Sequence, residues 1–176
     1  MKGRIFPIAW LALLALPLQA LAAGAPPPPP ASRVPFVQLS ANARYVHLEG
    51  GFDAGGWGAD VAFNFTDFIA LAGEVGGVYG SKHGTSWNLH DFTLGPRITF
   101  LRSPVDVYVH GLLGGYVSHA SGCCSNGNFE LAAGGGVDLN LNPLLSWRIV
   151  QGDYLGLAGG GWTNGFRLQT GLVFKF

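Results

Sequence analysis

Charge is scarce in this chain. Asp, Glu, Lys and Arg make up 11% of its 176 residues, against about 25% in an average soluble protein. A water-soluble domain this poor in charge has little to cover its surface with, whereas a domain whose outer face meets lipid needs no such cover. Ten basic and ten acidic residues cancel, so the basic footprint of a nucleic-acid binder is missing. Long apolar runs are missing too. Beyond the N-terminal segment no stretch reaches 18 consecutive apolar residues, which excludes a spanning helix. Secretion, or insertion into a membrane as a β-barrel, is what remains.

Motifs that would announce chemistry are equally sparse. The five histidines, His47, His83, His90, His110 and His119, stand singly, without the paired spacing of a zinc protease. No G-x-S-x-G elbow occurs. The glycine runs Gly76-Gly77, Gly114-Gly115 and Gly134-Gly135-Gly136 are not followed by a helical pattern, so they do not read as phosphate-binding loops. They suit bends and close packing in a tight barrel. No metal site and no cofactor is expected.

What is present begins with an export signal. Lys2 and Arg4 form a positive n-region, Ile5 to Leu18 an apolar h-region, and Ala20-Leu21-Ala22 a small-residue cleavage site. Residues 1–22 are therefore expected to be removed, with cutting after Ala22 or Ala23. A retained anchor is the alternative. No cysteine follows the h-region, which excludes a lipoprotein anchor. Residues 23–36 contain Pro26 to Pro30, a polyproline II spacer or, less simply, a ligand for a proline-binding partner.

From residue 37 to residue 176 the pattern has period two, the signature of strands. In the last segment Phe166, Leu168, Thr170, Leu172, Phe174 and Phe176 share one face, and Arg167, Gln169, Gly171, Val173 and Lys175 the other. The same alternation recurs near 57–66, 68–80, 89–101, 105–117 and 129–141. Residues 38–49 are less regular. In 144–155, Arg148, Gln151 and Asp153 fall out of phase unless a β-bulge lies between Arg148 and Gln151. These segments predict eight antiparallel strands in an up-and-down transmembrane barrel. Tight turns are expected at Asp67, Arg102-Ser103-Pro104 and Asn142-Pro143. Longer outer loops are expected at 50–56, 81–87, 119–127 and 156–163.

In lipid every backbone polar group must be paired, so strands span only as a closed barrel. Eight strands enclose a space that side chains fill. Asp60, Glu74, Asp91, Arg97, Asp106, Glu130, Asp138, Arg148, Arg167 and Lys175 are expected inside it as a charge network that plugs the lumen. An ion path or an active site is the functional alternative for the same charges. Trp57, Trp87, Trp147 and Trp162, with Tyr79, Tyr116 and Tyr154, are expected in aromatic girdles at the two interfaces, or else as ordinary core.

Several stretches carry a family resemblance. They are Gly56-Trp57, Leu94-Gly95-Pro96-Arg97, Ala133 to Asp138, Arg148 to Tyr154 and Phe166 to Phe176. Across residues 37–176 the chain resembles small bacterial outer-membrane barrels, the OmpA-type transmembrane barrel and the opacity-protein porins. The resemblance implies an outer-membrane location, contact with outer-membrane lipid, and insertion by the barrel assembly machinery. That machinery would read Phe166, Leu168, Leu172, Phe174 and Phe176 as an assembly signal. No activity is implied. The peptidoglycan-binding domain that OmpA-type proteins often append is not expected after Phe176.

Two features leave alternatives open. Cys123 and Cys124 are neighbours in an oxidising compartment; a strained vicinal disulfide, an intermolecular bridge and free thiols all remain open. Ser118 with His119, or Ser86 with His90, could be imagined in a lipid hydrolase. The leading expectation is a non-enzymatic barrel with a structural or surface-interaction role. The alternatives are a porin or transport barrel for small solutes or apolar ligands, and a lipid-modifying enzyme. A soluble secreted barrel is the outlying reading.

Overall fold

The computed structural model describes residues 34–82, 85–120 and 125–176. The expected signal segment, most of the proline spacer, His83 and the Cys123–Cys124 pair lie outside the described residues. Eight strands follow in order: β1 (Val37–Leu48), β2 (Phe52–Asn64), β3 (Ile69–Lys82), β4 (Thr85–Leu101), β5 (Val105–Ala120), β6 (Ser125–Asn142), β7 (Leu145–Ala158) and β8 (Trp162–Lys175). Each pairs antiparallel with the next, and β8 returns to β1, so the sheet is a closed barrel. The closing ladder runs from Gln38 opposite Lys175 to Leu48 opposite Gly165. Closure leaves no strand edge with unpaired backbone groups, the condition for a sheet in hydrocarbon.

Alternation along each strand sorts its side chains. In β1, Gln38, Ser40, Asn42, Arg44 and Val46 are buried while Leu39 and Tyr45 are exposed. In β4, Asp91, Thr93, Arg97 and Thr99 are buried while Phe92, Leu94, Ile98 and Phe100 are exposed. The outer wall is thus apolar and the inner wall largely polar, the inverse of a water-soluble barrel. The register of β7 against β8 shifts between Arg148 and Gln151, at the bulge expected from the sequence. There Ile149 and Val150 both face outward, which returns Gln151 and Asp153 to the interior beside Arg148.

At the end of the barrel where β1 begins and β8 finishes the connections are tight. In the β2–β3 turn the Thr66 hydroxyl accepts from the backbone N–H of Phe68 (3.2 Å) and Ile69 (3.0 Å). In the β6–β7 turn Asn142 Oδ1 accepts from the Leu144 N–H at 2.9 Å. At the far end the structure departs from expectation. The described residues of 50–56, 81–87, 119–127 and 156–163 are mostly strand, and the unpaired pieces between β1 and β2 and between β7 and β8 are short. Glycine permits the reversal itself: Gly50, Gly51 and Gly160 take positive φ. Pairing then continues outward as an extension of the ladders begun lower in the wall, from Ala54 opposite Gly80 to Ala158 opposite Trp162.

The aromatic residues at the far end form a belt with its polar tips paired. The Tyr45 hydroxyl donates to Asp53 at 2.5 Å and His47 bonds the same carboxylate at 2.7 Å. The Tyr154 hydroxyl and Trp162 Nε1 both donate to Asn164 Oδ1, at 2.5 and 2.9 Å. Trp57, Tyr79, Tyr154 and Trp162 are on the outer surface, and so is Trp147, which lies at the other end of the barrel beside the β6–β7 turn. Trp87 and Tyr116 are not part of that belt. Their phase in β4 and β5, shared with Asp91 and His110, turns them into the barrel mouth.

Candidate functional site

The interior is built in layers. Nearest the termini, Lys175 Nζ donates to Asp106 Oδ2 at 2.9 Å and also bonds Asn140 Oδ1. Above it, Arg148 is fully buried and joins two acids: Nη1 to Asp60 Oδ2 at 2.5 Å and Nε to Asp138 Oδ1 at 3.0 Å. Arg97 approaches Asp60 at 3.5 Å, and its guanidinium lies 4.1 Å from the Tyr108 ring centroid, a cation–π contact in a desolvated place. The Tyr108 hydroxyl donates to Gln151 Oε1 at 2.8 Å. That glutamine links this layer to the next by donating to Glu74 and Asp153, at 3.3 and 3.1 Å.

The third layer holds Arg44 and Arg167 among four carboxylates. Arg44 reaches Glu74 at 2.5 Å and Asp91 at 2.6 Å. Arg167 reaches Asp153 at 2.9 Å, Glu74 and Asp91 at 3.2 Å, and Glu130 at 3.5 Å. Space for Arg44 comes from glycine: a Cβ on Gly76 would sit 2.1 Å from its Nη1. His110 Nε2 lies 2.8 Å from Asp153 Oδ1, with both side chains fully buried.

The ten charged residues named from the sequence are all buried. Arg44, Asp153 and His110 complete the network. Seven buried carboxylates then face five buried cationic side chains, so the interior is not evenly matched. The surplus of acid sits in the third layer, where Glu130 Oε2 and His110 Nδ1 have no protein hydrogen-bond partner. One ligand-capable atom from each of Glu74, His110 and Asp153 falls within a 4.8 Å cluster, the spacing a metal ion would use. Arg167 contacts both acids, and Arg44 contacts Glu74. Two guanidiniums already occupy the place where a cation would be attracted, so the cluster reads as part of the ion-pair network.

Above this layer the inner wall changes character. Val46, Leu48, Val78, Leu112, Leu155 and Leu157 are buried, with Phe52, Leu89 and Tyr116 packed against them. This apolar band inside the barrel was not expected; the leading reading of the sequence filled the lumen with a charge network. A void of about 10 Å³ separates Leu89, Leu155 and Leu157 from Asp91, Glu130 and Arg167, roughly the space of one water. Beyond it the mouth opens into a cavity of about 230 Å³, lined by Leu48, Phe52, Trp87, Leu89, Tyr116 and Leu157, with Glu49, Asn88, Ser118 and Thr163 also on its wall.

Neither serine–histidine pair imagined for hydrolysis is brought together: the barrel wall separates Ser118 from His119, and four positions of β4, about 13 Å, separate Ser86 from His90. Ser118 and His119 are successive in β5 and point to opposite faces of the wall. Ser86 and His90 share the outward face of β4, where His90 packs edge-on against Tyr79 at 5.7 Å. Among the described residues, the histidines bonded to a carboxylate are His47 and His110, and neither belongs to those serine pairs.

No protein-family model matches the chain, and no curated protein matches it either. Solved structures do. The chain is similar to the Neisserial surface protein A (TM-score 0.59, 17% identity, 80% of this chain and 96% of that one). It is similar to Ail, the attachment invasion locus protein of Yersinia pestis (TM-score 0.56, 16% identity, 80% and 96%). It is also similar to the outer membrane enzyme PagL (TM-score 0.52, 14% identity, 78% and 98%). At such identities the likeness is one of fold: the closed eight-stranded antiparallel barrel of small outer-membrane proteins.

Proposed function

We propose that this protein is a resident of the bacterial outer membrane whose barrel is closed along its axis and whose role is structural or surface-interacting. The observation that carries the reading is the filled interior. Arg148 and Arg167 each cross the lumen to acids on several strands, and both are buried to within 1%. A side-chain plug of this kind leaves no continuous water path, and eight strands enclose no more room than side chains fill. Apolar side chains on the outer wall of all eight strands support a lipid surround, as does the aromatic belt with paired polar tips at the far end.

The rest of the proposal follows from that placement. Residues 1–22 act as the export signal and 23–36 as a periplasmic spacer. An even strand number puts both ends of the barrel domain on one side, the periplasmic one, so the far-end hairpins and mouth face outward. The barrel assembly machinery takes the β8 face of Phe166, Leu168, Leu172, Phe174 and Phe176 as its signal. The interior plug argues against passage of small solutes along the axis. The protein is not proposed as an enzyme, although PagL shows that an enzyme can be built on this fold.

Planar-bilayer recording on the purified, heat-modifiable barrel tests the reading. The closed lumen predicts no regular conductance steps. Large, uniform steps from the wild-type protein would overturn it.

A further inference from the structure

We infer that the mouth of the barrel is a binding cup for a small, flat, largely apolar molecule with a hydrogen-bond donor at one edge. This goes beyond a plugged barrel, because a plug requires only that the middle of the lumen be filled. In an interior otherwise given over to ion pairs, the structure spends its outermost layer on Leu48, Phe52, Trp87, Leu89, Tyr116 and Leu157 around an open volume of about 230 Å³. Leu48 and Leu157 are buried and form the floor with Leu89. Beneath it lies only the roughly one-water void above Glu130, so an occupant goes no deeper.

Size sets the ligand. An apolar cavity of about 150 Å³ takes a single benzene ring, so the cup suits a fused bicyclic or a ring with a short tail. Trp87 and Tyr116, inward at the mouth instead of in the interfacial belt, offer ring faces to stack against. Polarity sets its orientation. Glu49 lies at the rim; its carboxylate accepts at 2.9 Å from Asn164 Nδ2, the side chain that also holds the Tyr154 and Trp162 tips of the outer belt. Ser118 and Thr163, in the inward phases of β5 and β8, are on the same wall and give a donor group oxygens to face. Recognition pockets of this build, apolar walls with a few polar groups at one side, are the ordinary form of small-molecule sites.

Indole has the right size and one N–H donor, and it serves as the probe. The experiment is a titration of the full barrel, leucine-methyl labelled, in lipid nanodiscs. The cup predicts saturable shifts at the Leu48, Leu89 and Leu157 methyls. The outward Leu39, Leu94 and Leu172 methyls report only partition of indole into lipid and should drift without saturating. Thr163→Trp fills the cup from a half-buried position at the start of β8 and should weaken binding at least about tenfold. Trp87→Leu removes a stacking face at the rim and should weaken it as well, and heat-modifiability on gels checks that both variants are folded. Drift of the cup methyls in parallel with the outward ones, or a folded Thr163→Trp barrel that binds indole as tightly as the wild type, would overturn the inference. Neither outcome bears on conductance, so this proposal and the closed-lumen reading fail separately.

Discussion

Replacing Arg148 by Met probes the interior where the structure places most weight. The guanidinium is fully buried and holds Asp60 at 2.5 Å and Asp138 at 3.0 Å. Met keeps much of the volume, so packing changes little and the effect is electrostatic. Asp60 keeps Asn42 at 3.0 Å, Arg97 at 3.5 Å and its bond from Ser40. Asp138 loses both of its bonds from Arg148, at 3.0 and 3.3 Å, and is left as a buried charge without a partner. Removing one member of a buried pair costs about 3–5 kcal/mol. Urea unfolding from phospholipid vesicles, followed by tryptophan fluorescence, measures it. Arg148→Met should lose stability in that range, and Arg148→Met with Asp138→Asn should recover about half the loss, because the second change removes the orphaned charge. A loss below about 1 kcal/mol, the scale of a solvated pair, would mean that water reaches Asp138 and that the lumen is not a packed plug.

Three further outcomes follow from the same packing. Glu130→Gln should change stability by less than about 1 kcal/mol, because Oε2 lacks a partner and the one ion contact of Glu130 is at 3.5 Å, whereas Glu74→Gln weakens contacts to both Arg44 and Arg167 and should cost about 3 kcal/mol in the same unfolding assay. Leu94→Arg puts a charge on the outer wall at a side chain 56% exposed, and in bilayers it should destabilise by about 2–4 kcal/mol; no loss would contradict a lipid surround. Phe176→Ala should slow assembly of the barrel in cells while leaving equilibrium stability nearly unchanged, since its ring is exposed and its backbone bonds to Val37 (3.1 and 2.9 Å) remain; pulse-chase folding on unheated gels reads the rate.

Much of this architecture is legible in the sequence because a membrane barrel enforces period two so strictly. The alternation of β8 from Phe166 to Phe176, and the bulge that brings Arg148, Gln151 and Asp153 into phase, can be read from one chain because each side chain has only two places to go. What is not legible depends on closure. Asp153 meets His110 from β7 to β5, Arg167 meets Glu74 and Asp91 from β8 to β3 and β4, and Arg44 meets Asp91 from β1 to β4; no local spacing encodes such partners. The apolar mouth was hidden for a different reason. Around Leu112-Leu113 and Leu155-Gly156-Leu157 both faces are apolar or small, so the alternation loses its contrast where the interior itself turns apolar. Trp87 and Tyr116 show that the phase within a strand is a better guide than nearness to its end. Aromatics near strand ends suggest an interfacial belt, yet these two share the face of Asp91 and His110 and point inward.

The adjacent residues Leu112 and Leu113 put the account to its most direct test. Leu112 is 1% exposed and faces the interior, while Leu113 is 53% exposed on the outer wall. Cross-relaxation between lipid acyl protons and labelled leucine methyls, measured on the barrel in lipid nanodiscs, distinguishes the two faces within one turn of the chain. The account predicts strong acyl-chain cross-peaks at Leu113 and none at Leu112. Cross-peaks at Leu112, or their absence at Leu113 together with contacts from water, would contradict a barrel that turns its apolar face to lipid.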